Sequence, residues 1–224
     1  MTKNLALVLN RHFYAVVLAA CAAFYYALLF VFDVQTDIQK HVPFAAQLIR
    51  GENFPATFLY FLAVSALAFF SDNYQALLWA SLAVLALATG WKFFLTARFL
   101  ARRIEPVDHL SENKRLFLAN AGGVALMIAF CIYLPKEWGL TQYFFLGQIP
   151  PNVWHNSTTI FLMPFALLLF WRSYRLLEEF SMRDLWLSLA LVFLNIVAKP
   201  NFFLCFAVVF PLVALLRYRL KKEF

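Results

Sequence analysis

Long apolar runs alternate with short polar segments along most of the chain. A helix needs about 20 mostly apolar residues to cross the roughly 30 Å hydrocarbon core of a bilayer, and fewer when Lys, Arg or Trp anchor its ends. Six runs meet this condition, and they cover residues 13–32, 76–95, 116–134, 158–171, 185–198 and 202–216. The pattern therefore predicts an all-α fold, a polytopic transmembrane helix bundle that forms a single domain over residues 1–224.

Two shorter apolar segments lie between the first and second predicted spans. Residues 58–70 are too few to cross a bilayer and predict a re-entrant or interfacial helix. Residues 43–50 place apolar side chains opposite Gln47 and Arg50, which predicts a short amphipathic helix on the membrane surface. We therefore expect residues 33–75 to form one long outer loop.

The composition and the placement of charge agree with a membrane protein. Apolar residues make up 63% of the chain and charged residues only 14%, which is more apolar surface than a soluble domain of 224 residues can bury. The segments 1–12, 92–115, 172–184 and 217–224 hold 15 of the 19 Lys and Arg residues. Because cytoplasmic loops are rich in Lys and Arg, this distribution places both termini in the cytoplasm, and it explains the net charge of +7 without a nucleic-acid partner.

The charge distribution fits a second topology equally well. If residues 58–70 form a seventh span and the N-terminus lies outside, the same 15 of 19 positive charges still face the cytoplasm, because segments 1–12 and 33–57 hold two each. Only the length of the 58–70 run favours the six-span arrangement.

Two acids and a histidine follow the first predicted span at intervals of four residues. In a helix this spacing turns each of Asp33, Asp37 and His41 by about 40°, so all three share one face. A carboxylate near an apolar surface can act as a general base, and a neighbouring histidine can orient it. The simpler interpretation is that acids follow a span because water is there.

A second polar group alternates with aromatic residues before the fourth predicted span. Its candidate binding residues are Gln148, Asn152, Trp154, His155 and Asn156. Aromatic rings pack on the C–H faces of sugars or isoprenoids while amides bridge hydroxyls, although an aromatic belt at the membrane interface produces the same composition. Lys199 follows the fifth span, where it either extends to the interface or neutralises a phosphate.

The order of these features resembles the GT-C superfamily of membrane glycosyltransferases. The resemblance rests on the outer loop "FDVQTDIQKH", on "NFPATFLYFLAVSALAFF" before the second span, and on "GQIPPNVWHNSTTIFLMPFALLLF" followed by "AKPNFFLCF", which is similar to bacterial polysaccharide-associated members. It implies inverting transfer of a sugar from a polyprenyl-phosphate donor to a glycan or lipid acceptor. The reaction is expected at the outer face of the bacterial inner membrane.

The resemblance assigns the acids of the first outer loop to catalysis. Asp37 or Asp33 takes the proton of the acceptor hydroxyl, and His41 assists. We add His155 and Lys199 as groups that stabilise the phosphate leaving group by charge. No cofactor and no metal ligand are assigned, and a requirement for a divalent cation is left open.

Other functions are compatible with the same pattern. GT-C members are usually longer, so a fragment, a minimal module or an inactive relative is also expected to look like this chain. A transporter or channel subunit and a non-catalytic membrane subunit are the alternatives from other classes. Against transport, no ionisable residue lies near the centre of a predicted span, where an ion pathway usually has one.

Overall fold

Every regular element is a helix in the computed structural model, which describes residues 2–32, 37–104, 111–128 and 156–220. No strand occurs within these ranges, so the all-α prediction is confirmed for them. The helices are α1 (Thr2–Val31), α2 (Asp37–Ile49), α3 (Leu59–Leu67), α4 (Tyr74–Ile104), α5 (Glu112–Ile128), α6 (Ser157–Glu178), α7 (Met182–Ala198) and α8 (Asn201–Leu220).

Two of these helices, α4 and α6, are long and apolar enough to cross a membrane by length and composition. Shorter apolar helical stretches run over His12–Leu28 in α1 and Asn201–Arg217 in α8. Within the described ranges, the structure therefore supports a membrane location through two helices. It does not confirm the six-span arrangement, which is taken up below as a proposal.

Several helices extend beyond the apolar runs that predicted them, because capping groups determine where a helix begins. α4 begins after Asn73, whose side-chain oxygen accepts hydrogen bonds from the backbone N–H groups of Gln75 at 2.9 Å and Ala76 at 3.2 Å. It then continues to Ile104, past the predicted end at residue 95. Hydrophobicity predicts the part of a helix that lies in lipid and not its polar ends.

The two short helices also differ from the predicted ranges. α2 begins at Asp37 rather than at residue 43 and continues through Pro43. α3 covers nine residues of the predicted 58–70 run, because Phe69 and Phe70 adopt left-handed φ angles of 52° and 56° that end the helix. At 1.5 Å per residue α3 is about 14 Å long, well short of the hydrocarbon thickness.

The chain divides into two compact units. The first comprises Met1–Asp37 and Leu85–Ile160. Its core contains Phe93 and Ala97 of α4 and Met127 of α5, with Ala15 and Leu18 of α1 packed against them. Glycine allows this close packing: a Cβ at Gly90 would lie 2.8 Å from the Ala15 carbonyl oxygen, and one at Gly123 would lie 2.9 Å from the Phe93 ring.

The second unit comprises Ile38–Val84 and Phe161–Phe224. Its core contains Leu162 and Ala166 of α6 and Ala198 of α7, with Leu59 of α3 and Phe202 of α8 packed against them. α3 and α7 are therefore in contact, and the α7–α8 turn lies beside this core. This second unit contains His41 and Lys199, two of the four candidate site residues that the structure describes, while Asp37 and Asn156 belong to the first unit.

Candidate functional site

The amphipathic helix α2 carries the acid and the histidine that the sequence singles out. Asp37 is its first residue, and His41 follows one turn later; both side chains are half-buried. Another face of α2 is apolar. Its residues Ile38, Val42 and Ala45 recur at helical spacing, and all three are buried. The structure therefore holds the Asp37 to His41 interval in one continuous helix, whereas Asp33 lies outside the described residues.

Three aromatic rings surround the imidazole of His41. The ring centroids lie 5.9 Å from Phe61, 6.2 Å from Phe44 and 6.4 Å from Tyr60, and the Phe61 ring meets the imidazole edge-on at 90°. Aromatic pairs at such distances each contribute about 0.5 to 1.5 kcal/mol beyond their buried area. These contacts fix the imidazole on α2. We call His41, Phe44, Tyr60 and Phe61 the His41 cluster.

The His41 cluster is connected through α3 to the α6 and α7 helices. Tyr60, which contacts His41, also lies 5.7 Å from the ring of Phe161 on α6. The adjacent Leu59 packs against the core that contains Ala198, and Lys199 is the next residue along the chain. One continuous set of contacts in the second unit therefore links the His41 cluster to the turn that carries Lys199.

Lys199 ends α7, and a buried amide lies one turn before it. The backbone of Lys199 is extended, and its N–H donates to the carbonyl oxygen of Asn195 at 2.9 Å. The side-chain nitrogen of Asn195 donates to the Leu191 carbonyl at 2.7 Å, but its side-chain oxygen is buried without a hydrogen-bond partner among the described residues. Such an oxygen is costly unless a ligand hydroxyl or water satisfies it.

The sequence analysis did not identify Asn195. The available signal was an amide within the apolar run "WLSLALVFLNIVA", because an amide in such a position needs a hydrogen-bond partner. Its proximity to Lys199 in sequence would have placed both in one candidate site.

The second polar group falls largely outside the described residues. This applies to Gln148, Asn152, Trp154 and His155. Asn156 is described, and its side-chain oxygen caps α6 by accepting hydrogen bonds from the N–H groups of Thr158 at 3.1 Å and Thr159 at 3.3 Å, together with the Thr158 hydroxyl. The side-chain oxygen of Asn156 is therefore used in capping α6, and its amide nitrogen is the group that could contact a substrate.

A buried ion pair joins α6 to α7 and was also missed from the sequence. The carboxylate of Asp184 is 4% exposed and accepts from Arg172 at 2.6 Å, while its second oxygen lies 3.3 Å from Arg175. The signal was the placement of two arginines one turn apart at the end of one predicted span and of an acid at the start of the next. The pair fixes the α6–α7 hairpin.

An exposed ion pair lies at the end of α2. Arg50 donates to both carboxylate oxygens of Glu52, at 2.6 and 2.9 Å, and lies 3.8 Å from Asp72 before α4. The hydrogen bond from Arg50 lowers the pKa of Glu52 below its ordinary value of 4.5, and the same hydrogen bond raises the pKa of Arg50. The longer contact of Arg50 with Asp72 joins the end of α2 to the loop before α4.

Comparison with known proteins adds nothing to this geometry. Among the described residues, no three His, Cys, Asp or Glu side chains come together as a metal site would require. The chain matches no family model, no curated protein and no solved structure.

Proposed function

We propose that the chain is an integral membrane protein that transfers a sugar from a polyprenyl-phosphate donor to an acceptor at the outer face of a bacterial inner membrane. The observation that carries the proposal is the position of Asp37 and His41 one turn apart on α2, with the imidazole held by three aromatic rings. Leu59 of α3 packs against the core that contains Ala198, and Ala198 precedes Lys199 in the α7–α8 turn. These elements supply an acid at the start of α2, an aromatic surface around His41 and a cation after α7.

The proposed reaction assigns a role to each of these groups. The acceptor hydroxyl oxygen attacks the anomeric carbon of the donor, the bond from that carbon to the phosphate oxygen breaks, and the hydroxyl proton passes to the Asp37 carboxylate. His41 orients the carboxylate or the acceptor. Negative charge develops on the departing phosphate, and Lys199 stabilises it. The unpartnered oxygen of Asn195 accepts a hydrogen bond from a sugar hydroxyl.

The membrane topology is tested separately from the chemistry. Six spans with cytoplasmic termini place the exposed residue Asn53 outside the cell and the exposed residue Asn113 inside it. In a background in which Cys21, Cys131 and Cys205 are replaced by serine, a cysteine at position 53 should react with an impermeant thiol reagent in intact cells. A cysteine at position 113 should react only after lysis; if position 53 also reacts only after lysis, as the seven-span arrangement predicts, this topology is refuted.

Sugar transfer in proteoliposomes tests the catalytic assignment. Asp37→Asn keeps the shape of the side chain but removes the proton acceptor, so turnover should fall by roughly two to four powers of ten at matched protein level. Asp72→Asn is the matched control, because Asp72 is an exposed acid in the same predicted outer loop, and it should retain activity. Full activity in Asp37→Asn would remove Asp37 from catalysis.

A second candidate function, transport, is favoured by one observation. Lys92 is 9% exposed and lies close to the middle residue of α4, Thr89, because α4 extends nine residues beyond the predicted span of residues 76–95. Buried ionisable residues in membrane helices commonly mark substrate or ion pathways. Lys92→Gln should abolish solute uptake in vesicles if the chain is a transporter subunit, and it should leave sugar transfer intact if the chain is a glycosyltransferase.

A further inference from the structure

An apolar groove lies between α6 and α8 within the second unit. Its volume is about 360 Å³, and it is lined by residues of α6 between Phe170 and Leu177 and of α8 between Phe202 and Val213. Three phenylalanines of α8 form its floor at intervals of four residues, with ring centroids 6.1 Å apart for Phe202 and Phe206 and 5.0 Å apart for Phe206 and Phe210. The groove is therefore an elongated aromatic channel along one helix face.

The length of the groove matches one leaflet of a bilayer. Phe202 and Val213 are eleven residues apart, which corresponds to about 17 Å along a helix, and one half of a 30 Å hydrocarbon core is about 15 Å. In the proposed topology α8 runs from the outer side towards the cytoplasm. A single acyl chain that enters from the cytoplasmic side thus fits the length of the groove.

An arginine lies one helical turn beyond the groove on the same face of α8. Arg217 follows Val213 by four residues, about 6 Å along the axis, and its Nε is buried without a hydrogen-bond partner among the described residues. Arg172 and Arg175 on α6 are engaged by Asp184. A buried guanidinium N–H that lacks an acceptor is satisfied well by a phosphate oxygen.

The wall of the groove also contains an unsatisfied hydroxyl. Ser173 of α6 is 3% exposed, lines the groove, and has no hydrogen-bond partner for its Oγ among the described residues. A hydroxyl in this position can donate to an ester carbonyl oxygen, which a phospholipid carries between its chains and its phosphate. The groove therefore combines an apolar channel, a donor in its wall and a cation beyond its end.

We propose that the α6–α8 groove binds one anionic phospholipid of the inner leaflet. An acyl chain lies along the phenylalanine face, the Ser173 hydroxyl donates to an ester oxygen, and the phosphate lies against Arg217. The inference rests on the membrane placement given under the proposed function and not on sugar transfer.

Lipid binding to the full chain tests the proposal. The protein is delipidated in neutral detergent and titrated with phosphatidylglycerol and phosphatidylcholine of identical chains, with bound lipid counted by native mass spectrometry. Phosphatidylglycerol should bind more tightly, and Arg217→Gln should weaken its binding about fivefold, the usual effect of one basic residue at a membrane surface. Arg217→Lys should still bind phosphatidylglycerol more tightly than phosphatidylcholine, because it keeps the positive charge. Arg219→Gln is the matched control, because Arg219 is an exposed arginine two residues away, and it should change the affinity little.

A second variant tests the groove itself. Cys205 lines the groove and is exposed, so Cys205→Trp should fill the groove without removing a buried side chain and should weaken the binding of both lipids. If Arg217→Gln and Arg219→Gln weaken the binding of phosphatidylglycerol equally, the lipid is attracted by unspecific surface charge, and the proposal is overturned. If the unaltered chain forms a dimer that Cys205→Trp dissociates, the groove binds a second copy of the chain. This result would also overturn the lipid proposal.

The outcome is independent of the enzymatic proposal. Asp37→Asn should bind phosphatidylglycerol as tightly as the unaltered protein. A chain that binds the lipid at Arg217 but transfers no sugar would retain this inference and lose the proposed function. A chain that transfers sugar but shows no selective lipid binding would lose this inference alone.

Discussion

Two arginine–carboxylate pairs in the second unit have the same shortest N–O distance, 2.6 Å, but lie in different surroundings. Asp184 is 4% exposed and Arg172 30% exposed, and their pair joins residues twelve positions apart on α6 and α7. Arg50 and Glu52 are 43% and 51% exposed and lie only two positions apart. A short distance alone therefore does not measure what an ion pair contributes to stability.

The difference follows from what happens when one partner is lost. An exposed carboxylate without its arginine is simply solvated by water, so most surface pairs contribute little. A buried carboxylate without its arginine is left as an unpaired charge in a poorly polarisable environment, which is strongly unfavourable. The Asp184 carboxylate needs its arginines, whereas the Glu52 carboxylate does not.

The largest effect is expected when Asp184 is removed. Asp184→Ala removes both arginine contacts at once, whereas either arginine variant leaves the carboxylate one partner, so the free energy of unfolding should fall by about 3 kcal/mol; the value is at the low end for a buried pair because both arginines are partly exposed. Thermal unfolding of the purified chain in detergent measures this. Glu52→Ala serves as the comparison, and equal losses in the two variants would contradict the distinction drawn here.

A smaller effect should separate the two arginines that share Asp184. Arg172 lies closer to the carboxylate than Arg175, at 2.6 against 3.3 Å, and is less exposed, at 30% against 49%. Arg172→Met should therefore lower the free energy of unfolding by about 1 to 2 kcal/mol, in the range of a charge-assisted hydrogen bond that is partly solvated. Arg175→Met should lower it by less. A larger loss in Arg175→Met would show that the second contact is the more important one.

The sequence predicts most of the helices but not where they begin and end. The length of the apolar runs predicted helices at α1, α4, α5, α6, α7 and α8, because a helix satisfies the backbone N–H and C=O groups of an apolar segment within that segment. The ends of these helices depend on local hydrogen bonds such as those of Asn73 and Asn156, which an average over hydrophobicity does not detect. The left-handed turn at Phe69 and Phe70 was not predictable either, because phenylalanine rarely adopts that conformation.

The candidate site was predictable only in part. The spacing of Asp37 and His41 is a local property, so the sequence indicated that they would share one face in a helix, although the predicted amphipathic helix began only at residue 43 and α2 begins at Asp37. The rings of Tyr60 and Phe61 come from another helix, and the ion pair of Asp184 joins two helices. Such contacts depend on how helices pack, and one sequence without related sequences contains little information about that.

The smallest effect is expected at the exposed pair, where it should depend on pH. The hydrogen bond from Arg50 lowers the pKa of Glu52 below 4.5 in the folded protein, so the ionised carboxylate contributes stability above pH 4.5. This contribution is lost as the pH falls below 4.5 and passes through the lowered pKa. Glu52→Gln should therefore unfold at a slightly lower temperature than the unaltered protein at pH 7, and the difference should shrink as the pH falls below 4.5. High salt should reduce the difference at pH 7, because screening weakens exposed pairs. Glu179→Gln, which removes an exposed carboxylate outside the pair, is the charge-matched comparison; a difference for Glu52→Gln that does not shrink below pH 4.5 would exclude ionisation of Glu52 as its cause.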